Sequence, residues 1–216
     1  MRQLKRKDVI GIFILYNNEM KKRIILASAS EGRKQLLDAL HITYEIIPSS
    51  YEEDHSAKVG PVELVRFLAT LKARDVAGKV ENAFVIGADT MVFDGKEIFG
   101  KPKNEAEARK MLTRLQGRKH KIISGYAVFD TDTDNYVIDS DSAEIEIRKM
   151  TKNEIDEYVR TGEPMTKAGA YAVQGRGSFF VEKIHGHPST VIGLPVHKLL
   201  KTLSKMGYDV RGDWKK

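Results

Sequence analysis

The run Phe84-Val85-Ile86-Gly87-Ala88-Asp89-Thr90 constrains the fold more than any other segment of this chain. Three large apolar residues with no polar alternate read as a strand buried on both faces, and such strands belong to sheets with helices packed on either side. The run stops on two tiny residues and delivers one carboxylate. Ligands in open α/β sheets bind beyond the carboxyl ends of strands, so Asp89 is a candidate for ligand contact, with Gly87 and Ala88 expected to clear space beside it. Taken alone, an Asp followed by Thr more often starts a turn or caps a helix.

The surrounding pattern favours an α/β class, because strand and helix signals alternate from Ile24 onward. Residues 24–27 read as a short strand, Ser30 as the cap of a helix running to about Leu40, and residues 43–47 as a second strand. Pro61 sits in the first turn of a helix reaching about Gly78, and Asp94-Gly95 signals a hairpin turn. Asn104 with Glu107 and Thr151 with Glu154 have capping-box spacing, for helices closed near Gly117 and Gly162. Strands are expected at 122–129, 136–147 and 179–184, and Pro195 opens a last helix to Met206. With 216 residues and no linker, the chain makes one large domain or two closely packed lobes.

Composition excludes several classes. A 41% hydrophobic and 31% charged chain is neither disordered nor fibrous. The absence of cysteine removes disulfide frameworks, thiol nucleophiles and thiolate metal sites. A net charge of +6 suggests nucleic acid until the charge is located: residues 1–23 hold seven Lys and Arg against Asp8 and Glu19, a net +5, and the other 193 residues carry +1. A basic groove has to be built from the folded body, so no stable nucleic-acid partner is expected. Residues 9–16 are apolar behind basic ones, but no small-residue cleavage site follows and eight residues are too few to span a bilayer. Met20 opens a stretch that leads straight into the first strand, so residues 1–19 are expected to be an extension outside the core, an over-long start.

Candidate chemistry lies in three segments. Ala27-Ser28-Ala29-Ser30-Glu31-Gly32-Arg33-Lys34 joins a strand to a helix; its small residues admit a ligand to backbone amides, the helix N-terminus favours anions, and Arg33 adds a planar fork for phosphate oxygens. The glycine spacing of a Walker loop or dinucleotide fingerprint is absent. Lys101-Pro102 holds a lysine in extended geometry, and Lys72 and Arg74 add charge on the helix from Pro61, although most exposed lysines do nothing specific. In residues 162–175, glycines permit close backbone approach and Gln174 offers a donor and an acceptor together, as a nucleobase edge requires; the competing reading is a packing loop with Tyr171 in the core.

Glu52, Glu53 and Asp54 suit Mg²⁺, which takes one or two carboxylates plus water and phosphate, although acidic loop triplets are usually just solvated. His185 and His187 are spaced to share one strand face, but lack a third nitrogen or sulfur ligand nearby. No Gly-x-Ser-x-Gly elbow supports a serine nucleophile.

In chain order, Ile25-Leu26-Ala27-Ser28-Ala29-Ser30 with Arg33, the strand ending in Asp89-Thr90, Lys101-Pro102, His120 before Ser124-Gly125, residues 163–175, and Val191-Ile192-Gly193-Leu194-Pro195 together resemble the Maf family. These are nucleoside triphosphate pyrophosphatases first associated with septum-formation inhibition, and the likeness runs over residues 24–206. It implies an elongated mixed β-sheet with flanking helices forming two lobes around a cleft, similar in shape to inosine triphosphatases. Residues 20–216 are then a single Maf-like pyrophosphatase domain behind the 1–19 extension.

Carried over position by position, the resemblance makes Asp89 the catalytic residue that activates water for attack on the α-phosphate. Ser28, Arg33, Lys72 and Lys101 would embrace the triphosphate, and Glu53 with Asp89 would hold a divalent cation, Mg²⁺ or Mn²⁺. Thr90 and Gln174 match the dTTP/UTP subgroup, whereas Gly32 stands where the family carries a large side chain that helps set specificity. The resemblance also implies a cytoplasmic homodimer with no membrane association. The alternative from another class is a noncatalytic nucleotide- or nucleic-acid-binding regulator of cell division that uses the basic N-terminal arm.

Overall fold

The computed structural model describes residues 21–52 and 59–215. In chain order these form β1 (Arg23–Leu26), α1 (Glu31–Asp38), β2 (Glu45–Ile46), α2 (Pro61–Ala77), β3 (Ala83–Phe93) and β4 (Ile98–Phe99). Then follow α3 (Glu105–Leu115), β5 (Arg118–Asp130), β6 (Tyr136–Ile147), α4 (Lys152–Arg160), β7 (Val181–His185), α5 (Pro188–Ile192) and α6 (Val196–Lys205). Short 3₁₀ turns occupy Glu163–Thr166, Ala168–Ala170, Arg176–Phe180 and Val210–Lys215. The expectations for residues 1–19, Glu53 and Asp54 lie outside the described residues. Among the described residues no helix is long and apolar enough to cross a membrane.

The sheet is mixed, with strand order β2-β1-β3-β5-β6-β7 and β4 paired to the far part of β3. β2, β1 and β3 run parallel, and every other pairing is antiparallel. β5 and β6 are longer than their apolar cores, because paired long strands continue until a turn stops them. Thr151 and Glu154 form a complete capping box on α4. On α3 only half the box forms: Asn104 accepts from the Glu107 amide, while the Glu107 carboxylate accepts from Lys103. Ser30 precedes α1 without a side-chain cap bond, and α1 stops at Asp38 rather than near Leu40. The short α5 opens on Pro188, the same start signal as Pro61, but its five residues are too few to show a periodic apolar face.

Both faces of the sheet are covered. On one face α2 lays Leu64, Val65, Leu68, Ala73 and Val76 against Val85, Met91, Ile123 and Ala127. On the other face two clusters sit at opposite ends of the β3–β5 pair. One gathers Leu37, Leu199 and Leu203 over Ile86, Ala88 and Tyr126; the other gathers α3 and α4 over Val92, Ile122 and Ile145. Between them the paired positions are Thr90 and Ser124, two hydroxyls where the rows above and below are apolar. This polar break separates the two lobes.

Two glycines set how closely α2 approaches the sheet. A Cβ at Gly87 would come within 2.2 Å of the Ala69 carbonyl oxygen, and one at Gly125 within 2.6 Å of the Val65 carbonyl group. Gly87 therefore makes room for a helix backbone rather than for a ligand, and Ala88 faces the opposite cluster; the expectation that both clear space beside Asp89 is corrected. The strand-end placement is corrected too. β3 continues through Asp89 to Phe93 because β5 pairs with it throughout, from Phe84↔Asp130 to Phe93↔Lys121.

What ends near Asp89 is the neighbouring strand. On the edge of β3 away from β5, pairing with β1 stops at Ile86 and pairing with β4 starts at Val92. Gly87–Met91 thus border a notch in the sheet, roughly 16 Å long at strand rise. A notch opens to both faces, so neighbouring residues that point oppositely can reach one space.

Candidate active site

A cavity of about 530 Å³ occupies the notch and runs out between the lobes. Arg33, Lys72, Asp89, Thr90, Lys101 and Gln174 line it, together with Gly32. The structure therefore gathers residues from α1, α2, β3, the loop after β4 and the segment after α4. Glu53 lies outside the described residues, and Glu52 is exposed.

Asp89 is 5% exposed, and its Oδ1 accepts a 2.6 Å hydrogen bond from the Lys72 ammonium. The pairing follows from the glycines: α2 can lie close enough for Lys72, one helical turn beyond Ala69 and next to Ala73, to reach across to β3. Asp89 Oδ2 is buried and accepts no hydrogen bond among the described residues. A buried carboxylate oxygen without a donor is costly, so its retention points to a partner that arrives with the ligand. It fits a divalent cation or an attacking water; among the described residues no group of three His, Asp or Glu side chains is placed to hold a cation.

Arg33 is buried, and its guanidinium is fixed on three sides. Nε donates to the Gly193 carbonyl at 2.9 Å, one terminal nitrogen to Ser28 Oγ at 2.9 Å and the other to Thr90 Oγ1 at 3.3 Å. The fork expected for phosphate is thus partly used in tying α1, β3 and the α5–α6 turn together, while still facing the cavity. Ser28 stands behind Arg33 as its acceptor and is not part of the cavity wall. Ser124 donates to the Thr190 carbonyl at 2.7 Å, so across the 2.9 Å contact between hydroxyls Thr90 is the donor. Gly193, at φ 120°, turns its carbonyl onto Arg33, and the carbonyl oxygen lies 3.3 Å from Thr90 Oγ1, competing with Ser124 for that hydroxyl's one proton.

Gly32 lies against Ile192, whose Cγ2 would be 3.0 Å from a Cβ added there. Ile192 also lines the cavity, so an aliphatic side chain from another element occupies the wall near the missing one. Arg74 lies over the Phe129 ring, 5.8 Å from its centroid, and is not part of the wall.

The opposite wall is loop. Lys101 is exposed at the mouth, and its segment is tied to the turn at Ala168–Ala170 by the Gly169 amide donating to the Gly100 carbonyl at 3.0 Å. Tyr171 belongs to the core and to the cavity wall at once, so the two readings of residues 162–175 are both realised. Its hydroxyl meets His120 Nε2 at 2.7 Å. Burial pushes the His120 pKa down to about 4, against a weaker pull from Asp94, so the ring is neutral near pH 7. Burial raises the Tyr171 phenol well above its usual value.

His185 and His187 do not share a strand face. His185 ends β7, whereas His187 caps α5, accepting from the Ser189 amide, and stacks on His197 with ring centroids 4.1 Å apart. Sequence reasoning gave no role to Glu163, Ser124 or Ile192. For Glu163 the signal was present, a carboxylate between two glycine turns; for the others, only the pairing of distant strands and helices reveals the contact.

Residues 23–206 match the Maf family, described as Maf-like protein. The chain is 46% identical over 185 residues to the dTTP/UTP pyrophosphatase of Alkaliphilus metalliredigens, covering 85% of this chain and 96% of the relative. It is 45% identical over 184 residues to that of Aquifex aeolicus, covering 85% and 95%. It is 42% identical over 192 residues to that of Dictyoglomus thermophilum, covering 88% and 100%. The Staphylococcus aureus Ham1 protein shares the fold, with a TM-score of 0.50 at 17% identity over 86% of this chain and all of that one.

Proposed function

This chain belongs to the Maf family, and from that premise we propose that it is a nucleoside triphosphate pyrophosphatase acting on dTTP and UTP. The observation that carries the reading is the buried Asp89 carboxylate in the cavity, one oxygen held by Lys72 and the other without a donor among the described residues. Water attacks the α-phosphorus, its proton passes to Asp89 Oδ2, and the bond from the α-phosphorus to the bridging oxygen breaks. The electron pair leaves with pyrophosphate, and the nucleoside monophosphate keeps the new oxygen. Lys72 orients the carboxylate, and the cationic groups of Arg33, Lys72 and Lys101 stabilise charge building on the phosphates.

Asp89 and Glu53 are the residues proposed to hold Mg²⁺ or Mn²⁺. When bound, the cation supplies charge neutralisation to the phosphates. Gln174 and Thr90 are proposed to read the pyrimidine. The same reading makes the enzyme a cytoplasmic homodimer, a state that sedimentation of the purified protein would test.

The decisive experiment incubates purified protein with Mg²⁺ or Mn²⁺ and a panel of nucleoside triphosphates. Pyrophosphate appearing in step with monophosphate, fastest for dTTP and UTP, is the expected result. Orthophosphate in its place would make the protein a phosphatase, and no turnover would remove the catalytic reading.

A further inference from the structure

Gln174 reaches the cavity from a segment without regular structure, and the way that segment is held centres on one carboxylate. Residues 172–177 form an arch whose feet touch: a Cβ at Gly177 would lie 2.2 Å from the Ala172 carbonyl oxygen. Under the arch sits Glu163. Its Oε1 accepts from the Gly177 amide at 2.9 Å and from the Tyr158 hydroxyl at 2.8 Å, and its Oε2 accepts from the Arg176 amide at 3.0 Å. The Tyr158 oxygen in turn accepts from the Ala172 amide at 3.0 Å. Backbone amides on both sides of Gln174 therefore converge, directly or through one phenol, on the same carboxylate.

The crest lies directly over the carboxylate. Gly175, at φ 84°, has the Glu163 carboxylate so close that an added Cβ would stand 2.8 Å from Oε2. Burial works against the charged form of Glu163, but the Gly177 and Arg176 amides and the Tyr158 hydroxyl outweigh it, so its pKa lies below the usual value. The carboxylate is ionised near pH 7 and acts only as an acceptor, which matches three converging donors. An amide side chain in its place would turn one donor toward another.

We propose that Glu163 is the positioning residue for base selection, holding Gln174 against the pyrimidine through the Glu163–Tyr158 clasp while touching no substrate itself. The inference rests on the pyrophosphatase reading for its substrate and on this clasp for its geometry. A loosened arch costs the discrimination that one well-placed amide gives, because a hydrogen-bonding site separates bases only while its donor and acceptor stay in register. Chemistry at the α-phosphate, built on Asp89, depends on other elements.

The test has two arms. In the first, kcat and KM for dTTP and for a purine triphosphate are measured for wild type, Glu163→Gln, Tyr158→Phe and Gln174→Ala. The preference for dTTP is expected to fall about tenfold in Glu163→Gln and Gln174→Ala, mainly through KM for dTTP, and less in Tyr158→Phe. An equal loss on every nucleotide, or an unchanged preference in both clasp variants, would overturn the proposal.

In the second arm, hydrogen exchange at the Arg176 and Gly177 amides is followed without nucleotide. Protection lost in Glu163→Gln, with the sheet still protected, supports the clasp, and protection retained overturns it. Wild-type protein that makes no pyrophosphate would sink the functional reading instead, and the exchange arm would still decide the geometry. Should Glu163→Gln not fold, Tyr158→Phe carries both arms, with exchange then read at the Ala172 amide, which donates to the Tyr158 oxygen.

Discussion

Asp89 and Gln174 face the same cavity, yet they are placed by opposite means. Asp89 sits in the middle of an eleven-residue strand, paired along its length with β5 and covered by α2. Gln174 sits on an exposed arch, placed by four hydrogen bonds that meet at Glu163 and Tyr158. Backbone ladders fix the first position cooperatively, so many bonds must fail before it moves. The second can shift when one side chain changes. Under the functional reading, the chemistry common to all nucleoside triphosphates rests on the sheet, and the choice among bases rests on a loop.

The sharpest way to break this comparison is Asp89→Asn. Loss of a general base costs about a thousandfold in turnover, read as pyrophosphate release. Because Asn still offers an oxygen to Lys72, stability should fall by less than about 2 kcal/mol in urea titration. Retained activity would take Asp89 out of its role.

The next test acts on the helix rather than the carboxylate. Gly87→Ala places a Cβ against the Ala69 carbonyl, which as backbone cannot swing aside. The cost should approach about 3 kcal/mol of overpacking, with turnover falling as Lys72 is pushed from Asp89. An unchanged urea midpoint would show that α2 has slack.

His120 connects the two ends, since it stands on β5 and holds Tyr171 of the loop. Its folded pKa of about 4 is below the ordinary value of 6.5, so the unfolded chain binds the proton more readily. The stability it contributes is complete above pH 6.5 and is lost as pH falls toward 4, up to about 3 kcal/mol. His120→Gln should flatten the urea midpoint in that window relative to wild type. His197, lowered by burial and then by His187, acts in the same direction in both proteins and cancels. Asp94 and Glu154, each held near 2, lose their share as pH falls below their ordinary values of 3.8 and 4.5, in wild type and variant alike. An equal slope in the variant would remove His120 as the cause.

The smallest effect is expected at Gly32. In Gly32→Ala the added methyl meets Ile192 Cγ2 at 3.0 Å and the Ile192 carbonyl oxygen at 3.4 Å, so the neighbour has to give by a few tenths of an ångström, and better helix propensity offsets that crowding. Stability should change by less than about 0.5 kcal/mol, and the preference among bases by less than about tenfold. A larger change in preference would make the α1 side an equal partner of the arch.

The sequence announced the sheet-held end better than the loop-held one, for a physical reason. An apolar run ending in Asp89-Thr90 is a local signal, and so is a helix opened by Pro61. That Gly87 serves α2 was hidden, because an empty position looks alike whether a ligand or a helix fills it. The notch was hidden as well, since it depends on where β1 and β4 stop along β3. The bracketing of Gln174 by glycines was visible, but Glu163 became meaningful only once Tyr158 and the arch met around it.

The notch has a further consequence, for the life of the protein in a crowded solution. Any open strand edge is a template on which a stray chain can add itself, and long exposed edges lead to aggregation. Here the open stretch, Gly87–Met91, is recessed between β1 and β4 and backed by Lys72 and Arg33. It is too short and too hemmed in by charge to recruit a neighbouring strand. The interruption that gives the enzyme its working space is thus also a shielded seam, open to small anions and closed to other polypeptides.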